Sequence, residues 1–190
     1  MLEAGVQICG YSYHYEHFYT GYRNGLTSYL FRLQTEGSAE VHFRGEIRRL
    51  EAGDLLLLRP GDDYELYVEG VKEDETKISS GDYYLFCEGP WIEAWWSRRA
   101  RPAVSRIGQD EKLLGLWRQL ILEKRRRPEE EDPELTGYLL GGLCLYLDRA
   151  ITETAPADRS GFTASCGSSA SSRSMPPPRS SWRKPRSMRA

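Results

Sequence analysis

A chain of 190 residues, 39% hydrophobic and 12% aromatic, holds material for one ordinary folded domain, or one with an appendage, and is too apolar to be disordered throughout. Its net charge of −2 conceals a division: residues 163–190 hold six Lys or Arg and no Asp or Glu, hence +6, which leaves −8 on the first 162. Residues 1–10 lack the basic start and apolar block of a signal peptide, no stretch reaches the length of a membrane span, and Cys9, Cys87, Cys144 and Cys166 stand far apart without CxxC spacing; a zinc knuckle and a redox pair are excluded, and a cytoplasmic protein with reduced thiols fits.

The first aromatic stretch, YSYHYEHFY, carries His14 and His17, a pair that shares a face on a helix and points to opposite faces on a strand. Short strands follow at 27–35, 39–43, 46–50, 54–59, 64–68 and 82–87, each bounded by Gly, Pro or charged turn residues. Within the first of them, alternation puts Tyr29, Phe31 and Leu33 on one face and Leu30, Arg32 and Gln34 on the other. Arg44-Gly45-Glu46 reads as a hairpin turn. The most informative segment is EAGDLLLLRPGDDYELY, residues 51–67: a Gly53-Asp54 turn launches leucines that stop at Pro60-Gly61, which reads as a strand buried on both faces, a corner and a new strand. Residues 69–77 are charged and aperiodic and read as an exposed loop, with Ser79-Ser80-Gly81-Asp82 as a turn after it.

After Arg101-Pro102 the period changes from two to 3.6. Asp110 is placed as N-cap of a helix running to about residue 127, with Leu113, Leu114, Trp117, Leu120 and Ile121 as its apolar stripe and Pro128 ending it. Asp132-Pro133-Glu134 opens a second helix through Leu135, Leu139, Leu143, Tyr146 and Leu147 to about residue 152. Gly141-Gly142 in its middle costs about 1 kcal/mol per glycine, which points to a closely packed neighbour. Arg98, Arg99 and Arg101 read as solvated charge on a loop.

These segments resemble a known family. A cupin-like barrel with EAGDLLLLRPGDDYEL as its signature, the aromatic SSGDYYLFCEGPWIEAWW read as a later barrel strand, then two amphipathic helices, is similar to the N-terminal effector-binding and dimerisation half of AraC-type transcription regulators. The resemblance covers about residues 6–158. It implies a mainly β fold, a cupin-like double-stranded β-helix or jelly-roll barrel over residues 1–105, followed by two antiparallel α-helices over 106–158; Leu113, Trp117, Leu120, Leu139 and Leu143 on these helices can cover the barrel or pair with a second copy, with dimerisation the favoured use. It further implies a small-molecule effector in the barrel, at about the positions of Arg32, Gln34, Glu36, Tyr64 and Tyr83, with His14 near the pocket rim. Homodimerisation suits a regulator that reads paired half-sites.

Such regulators continue into two helix-turn-helix units, whereas residues 159–190 contain three consecutive prolines, nine serines after Phe162 and no apolar periodicity. This segment reads as a disordered basic tail. Two origins are open: a natural flexible tail, or a product of a shifted reading frame. With permitted codons for residues 174–190, the frame displaced by two bases reads HAAATLELAEAAKHA, which resembles the start of a helix-turn-helix. Either way, no direct DNA binding is expected of this chain.

Catalysis is not expected. Metal-dependent cupins converge several histidines in the barrel, but here Tyr64 stands where the ligand beyond the Pro-Gly corner belongs, and His42 with Glu46 or Glu51 is too little for a cage. No metal, no cofactor and no membrane partner is expected, and no nucleophile motif is present. The alternatives are a small cupin enzyme of isomerase or epimerase type using His14, His17 or Tyr64, and a structural dimer without a ligand.

Overall fold

The computed structural model describes residues 3–69 and 79–154. In chain order it holds β1 (Gly5–His14), β2 (Phe18–Tyr22), β3 (Tyr29–Phe43), β4 (Glu46–Glu51), β5 (Asp54–Leu58), β6 (Tyr64–Val68), β7 (Ser80–Glu88), α1 (Pro90–Ser97), β8 (Val104–Arg106), α2 (Glu111–Lys124) and α3 (Pro133–Thr154). The basic tail, Cys166 and residues 70–77 of the expected loop lie outside the described residues.

All five residues of β5 are buried, and alternation divides its four leucines between two cores. Leu55 and Leu57 join Phe31, Leu33, Trp95, Trp117 and Leu143 beneath the helices. Leu56 and Leu58 join Leu30, Val41, Leu50, Leu66 and Val68 inside the barrel. The leucine run is therefore continuous because helices cover the outside of the sheet.

Strand β3, 15 residues long, belongs to both sheets of the barrel. Its first half pairs with β7 and β5 in the order β1-β7-β3-β5-β8. Its second half pairs with β4 and β6, and β2 lies beyond β6. The change of sheet coincides with a register shift between Gln34 and Glu36. Gly37 follows at φ +57°, where an added Cβ would collide with the Ser79 carbonyl, so the close passage of the two strands requires glycine.

The turns follow the chemistry read from the sequence. Arg44 and Gly45 both have positive φ, at 49° and 75°, and connect Phe43 to its partner Glu46 as a two-residue hairpin. Arginine tolerates that conformation because Nε and Nη2 bind the Asp62 carboxylate at 2.8 and 2.6 Å and its amide donates to Asp63 at 2.7 Å. At the other turn, Gly53 (φ +94°) lies so close to Gly108 that an added Cβ would be 3.1 Å from its Cα, while Asp54 accepts the Glu51 amide at 2.8 Å.

Helix α2 begins as the sequence predicts, with the Asp110 carboxylate accepting from the Lys112 and Leu113 amides at 2.8 and 3.1 Å. Asp132 does the same for α3 through Glu134 and Leu135. A Cβ at Gly142 would meet Leu116 at an ordinary 3.9 Å, so close packing against α2 does not explain that glycine.

Several expectations are corrected. Strands β1, β2 and β8 carry no sequence assignment. Ser80 to Asp82 are strand rather than turn, because β7 pairs with β1 as far as His14 and with β3 as far as Gly37. The aromatic segment through Trp96 is not a single strand: it breaks at Gly89 (φ +116°) and continues as α1 with Pro90 in its first turn. Arg101 is not solvated. Its side chain is 2% exposed and binds Asp148 through Nε at 2.7 Å, and the guanidinium lies 3.8 Å over the Trp95 ring.

Candidate functional site

The first sheet presents an inward face in three cross-strand rows: Ile8–Phe86–Leu30, Gly10–Tyr84–Arg32 and Ser12–Asp82–Gln34. Opposite it, β2 offers Phe18, Thr20 and Tyr22, and β6 offers Tyr64, the partner of Tyr22. A cavity of about 220 Å³ opens between these faces, lined by Ile8, Ser12, Phe18, Thr20, Tyr22, Arg32, Tyr64, Tyr84 and Phe86. Aromatic walls with a few polar groups at one end are the usual make-up of a small-molecule site. Glycine at position 10 gives the wall its shape, because a Cβ there would fall 2.6 Å from the Tyr84 hydroxyl.

A buried polar triad forms the floor. Arg32 donates from Nε and Nη2 to the two Asp82 oxygens at 2.7 and 3.0 Å, and from Nη1 to the Tyr64 hydroxyl. The side chains of Arg32 and Asp82 are 6% and 1% exposed. Burial lowers the Arg32 pKa, but Tyr64 and Asp82 outweigh it and hold the guanidinium above its ordinary value. Burial raises the pKa of Tyr64, which keeps the phenol protonated.

The positions singled out from the sequence separate here. Arg32 and Tyr64 line the cavity. Gln34 is buried beside it, donating to Ser80 Oγ at 2.8 Å and the Glu36 carbonyl at 2.7 Å, with Oε1 unpartnered among the described residues. Glu36 lies beyond the register shift, exposed, and accepts from the Tyr11 hydroxyl at 3.2 Å. Tyr83 points to the opposite side of β7, where its ring packs 5.9 Å from Trp117 and its hydroxyl accepts from Arg118 Nε at 3.0 Å. Glu36 and Tyr83 therefore do not share the cavity with Arg32.

His14 stacks on Phe18 at 3.9 Å and borders an adjacent cavity of about 240 Å³ with Tyr13, Tyr15, Glu16 and His17. Its Nε2 is buried without a partner among the described residues, and burial pulls its pKa down. His42 lies apart, bound to Glu40 at 2.7 Å and packed on Tyr67. Cys87 and Cys144 are fully buried, and burial pushes both thiols up, away from thiolate reactivity.

Of the two uses expected for the helix residues, burial within the single chain corresponds to covering the barrel. Leu113, Trp117, Leu120 and Leu143 are at most 2% exposed within the single chain and cover the barrel, and Leu139 is half-buried against the same core. The apolar residues that α3 leaves exposed are Leu135, Tyr138, Leu145 and Tyr146.

Sequence reasoning missed Asp82, Tyr84 and Phe86. The signal was present: once 82–87 is a strand, alternation puts these three opposite Tyr83, Leu85 and Cys87, and a buried Arg32 requires an acid on the neighbouring strand. Phe18, Thr20 and Tyr22 were out of reach without assignment of β2.

A family model described as an AraC-like ligand binding domain matches residues 5–140. A search of the curated proteins found no match. Among solved structures the chain is similar to ToxT from Vibrio cholerae, at 7% identity over 83% of this chain and 61% of that one with a TM-score of 0.46. It is also similar to YhaK from Escherichia coli, at 16% identity over 54% and 42% with a TM-score of 0.39. A third is a cupin 2 conserved barrel domain protein from Salinispora arenicola CNS-205, at 17% identity over 50% and 83% with a TM-score of 0.36. The chain spans less than two thirds of the length of ToxT and of YhaK.

Proposed function

This chain belongs to the AraC-like ligand-binding domains, and from that premise we propose that it is the sensor module of a transcription regulator, with a small-molecule effector held between the two sheets. The observation that carries this reading is the cavity of about 220 Å³ with aromatic walls over the Arg32–Asp82–Tyr64 triad. No catalytic step is assigned: the triad's charges are paired with each other and its phenol is held protonated by burial. Binding, rather than turnover, is the use we assign to it.

In this proposal the effector changes the packing of the barrel against α2 and α3, and a regulator dimer passes that change to DNA-reading domains. The dimer forms through the exposed stripe of α3 around Leu135, Tyr138, Leu145 and Tyr146. A thermal-shift screen over sugars, aromatic acids and amides, and metals tests the sensor reading. A saturable rise in Tm that Tyr22→Ala removes is the expected result. No ligand-dependent shift across the screen, or turnover of a bound compound, refutes it.

A further inference from the structure

Resting on the reading of this cavity as the effector site, we infer that the effector is an uncharged, flat aromatic molecule that accepts a hydrogen bond at its buried end, as an aryl amide, ketone or nitrogen heterocycle does. The charge balance of the floor carries the argument. Among the described residues that line the cavity Arg32 is the one charged residue, and both oxygens of Asp82 are already bound to it in a pair that is almost fully buried. Burial holds His14, the next titratable group beside that pair, towards its neutral form.

A carboxylate entering here would set a second anion on a guanidinium whose charge Asp82 already balances, leaving a net buried charge. An ammonium would meet Arg32 with no free acid among the described residues that line the cavity to receive it. Uncharged ligands escape both penalties.

The polar groups at the floor also fix the sense of the hydrogen bond. The Tyr64 hydroxyl accepts from Arg32 Nη1, so its own proton points elsewhere, and it makes no further hydrogen bond among the described residues. Nη1 has a second N–H, so the floor donates and the ligand must accept. Phe18, Tyr22, Tyr84 and Phe86 surround the remaining space, with Tyr22 and Phe86 ring centroids 5.7 Å apart, which suits a π-face against their rings. The volume corresponds to roughly seven waters at about 30 Å³ each, enough for one substituted ring.

The test uses benzamide, benzoate and benzamidinium, which share one shape and carry charges of zero, minus one and plus one. Calorimetric titration at neutral pH is expected to show benzamide bound at least about tenfold more tightly than either ion. Asp82→Asn uncovers the Arg32 charge and should move the preference to benzoate by a similar factor; circular dichroism and a melt establish that the variant is folded, and the wild-type series decides the matter if it is not. Benzoate or benzamidinium binding as tightly as benzamide overturns the assignment while leaving the sensor reading intact. If none of the three binds, the charge of any compound that stabilises the protein in the wider screen decides in the same way, and a silent screen removes the sensor reading itself.

Discussion

Replacing Asp148 by alanine isolates a buried charge that everything around it was built to neutralise. In the folded chain the carboxylate accepts from Arg101 Nε at 2.7 Å and Nη2 at 3.1 Å and from Trp95 Nε1 at 2.9 Å. The Arg101 and Asp148 side chains are 2% and 8% exposed, so water cannot take over. Removing one partner of a buried pair costs about 3–5 kcal/mol. Here the guanidinium keeps the carbonyls of Trp95, Trp96 and Arg99 at 3.0–3.1 Å and the Trp95 ring beneath it, which places Asp148→Ala near the lower end, about 3 kcal/mol. For a domain of this size that is a fall in Tm of about 6–12 °C, measurable by calorimetry or circular dichroism. Changing both residues, Arg101→Met with Asp148→Leu, removes the stranded charge; it leaves the Trp95 N–H without its acceptor and takes the guanidinium from the Trp95, Trp96 and Arg99 carbonyls, a loss of about 2 kcal/mol because Arg99 is exposed and its carbonyl rehydrates. The double variant should therefore be more stable than Asp148→Ala alone. A single variant within 2 °C of wild type, or a double variant no better than the single one, would refute the reasoning.

Three further outcomes are expected. Gly10→Ala drives a methyl to within 2.6 Å of the Tyr84 hydroxyl, so the ring swings into the cavity and effector affinity falls on the order of tenfold; titration showing unchanged affinity counts against the assigned site. His14 has its pKa lowered by burial, so between that value and the unfolded value of about 6.5 the unfolded chain binds more protons. Stability from this group is full above about pH 6.5 and declines as pH falls through the lowered value; denaturant melts across that range should lose this slope in His14→Gln, and an unaltered slope excludes His14 as its source. Leu145→Glu charges the exposed stripe of α3 and should convert a dimer to a monomer in sedimentation velocity, whereas a wild-type chain that stays monomeric at high concentration removes the dimer from the proposal.

The barrel was legible wherever one segment carried its own boundaries. The leucines of β5 lie between Gly53 and Pro60-Gly61, and the helices announce themselves through Asp110 and Asp132; each signal is local, so the chain states it without help. Strand β1 gave no such statement, because its exposed residues alternate only weakly with Val6 and Gly10 and its assignment depends on pairing with β7, which comes much later in the chain. Arg101 shows the same limit more sharply. Three arginines in four residues look solvated, and only Asp148, 47 positions away, makes one of them a core residue. The alternation of β3 placed Arg32 correctly inside, but the register shift after Gln34 broke the extrapolation to Glu36, since a displaced register reassigns every later side chain.

Strand β7 gives the proposed sensing a direct physical route. Asp82, Tyr84 and Phe86 face the cavity region, while Tyr83, Leu85 and Cys87 face the helices. Trp117 and Arg118 of α2 bind this strand directly, the Trp117 indole N–H reaching the Tyr84 carbonyl at 3.4 Å and Arg118 donating to the Tyr83 hydroxyl at 3.0 Å, so α2 is fastened to Tyr83 and Tyr84, and the Tyr84 side chain lines the cavity. Trp117 is fully buried, and a close-packed interior does not absorb a displaced strand by compression. β3 holds β7 on one side through two sheets, whereas β1 is the edge strand on the other. A ligand that presses on Tyr84 or Phe86 therefore finds its easiest accommodation in the edge strand β1 and in the seat of α2, the two elements whose movement changes what the domain presents to the rest of a regulator.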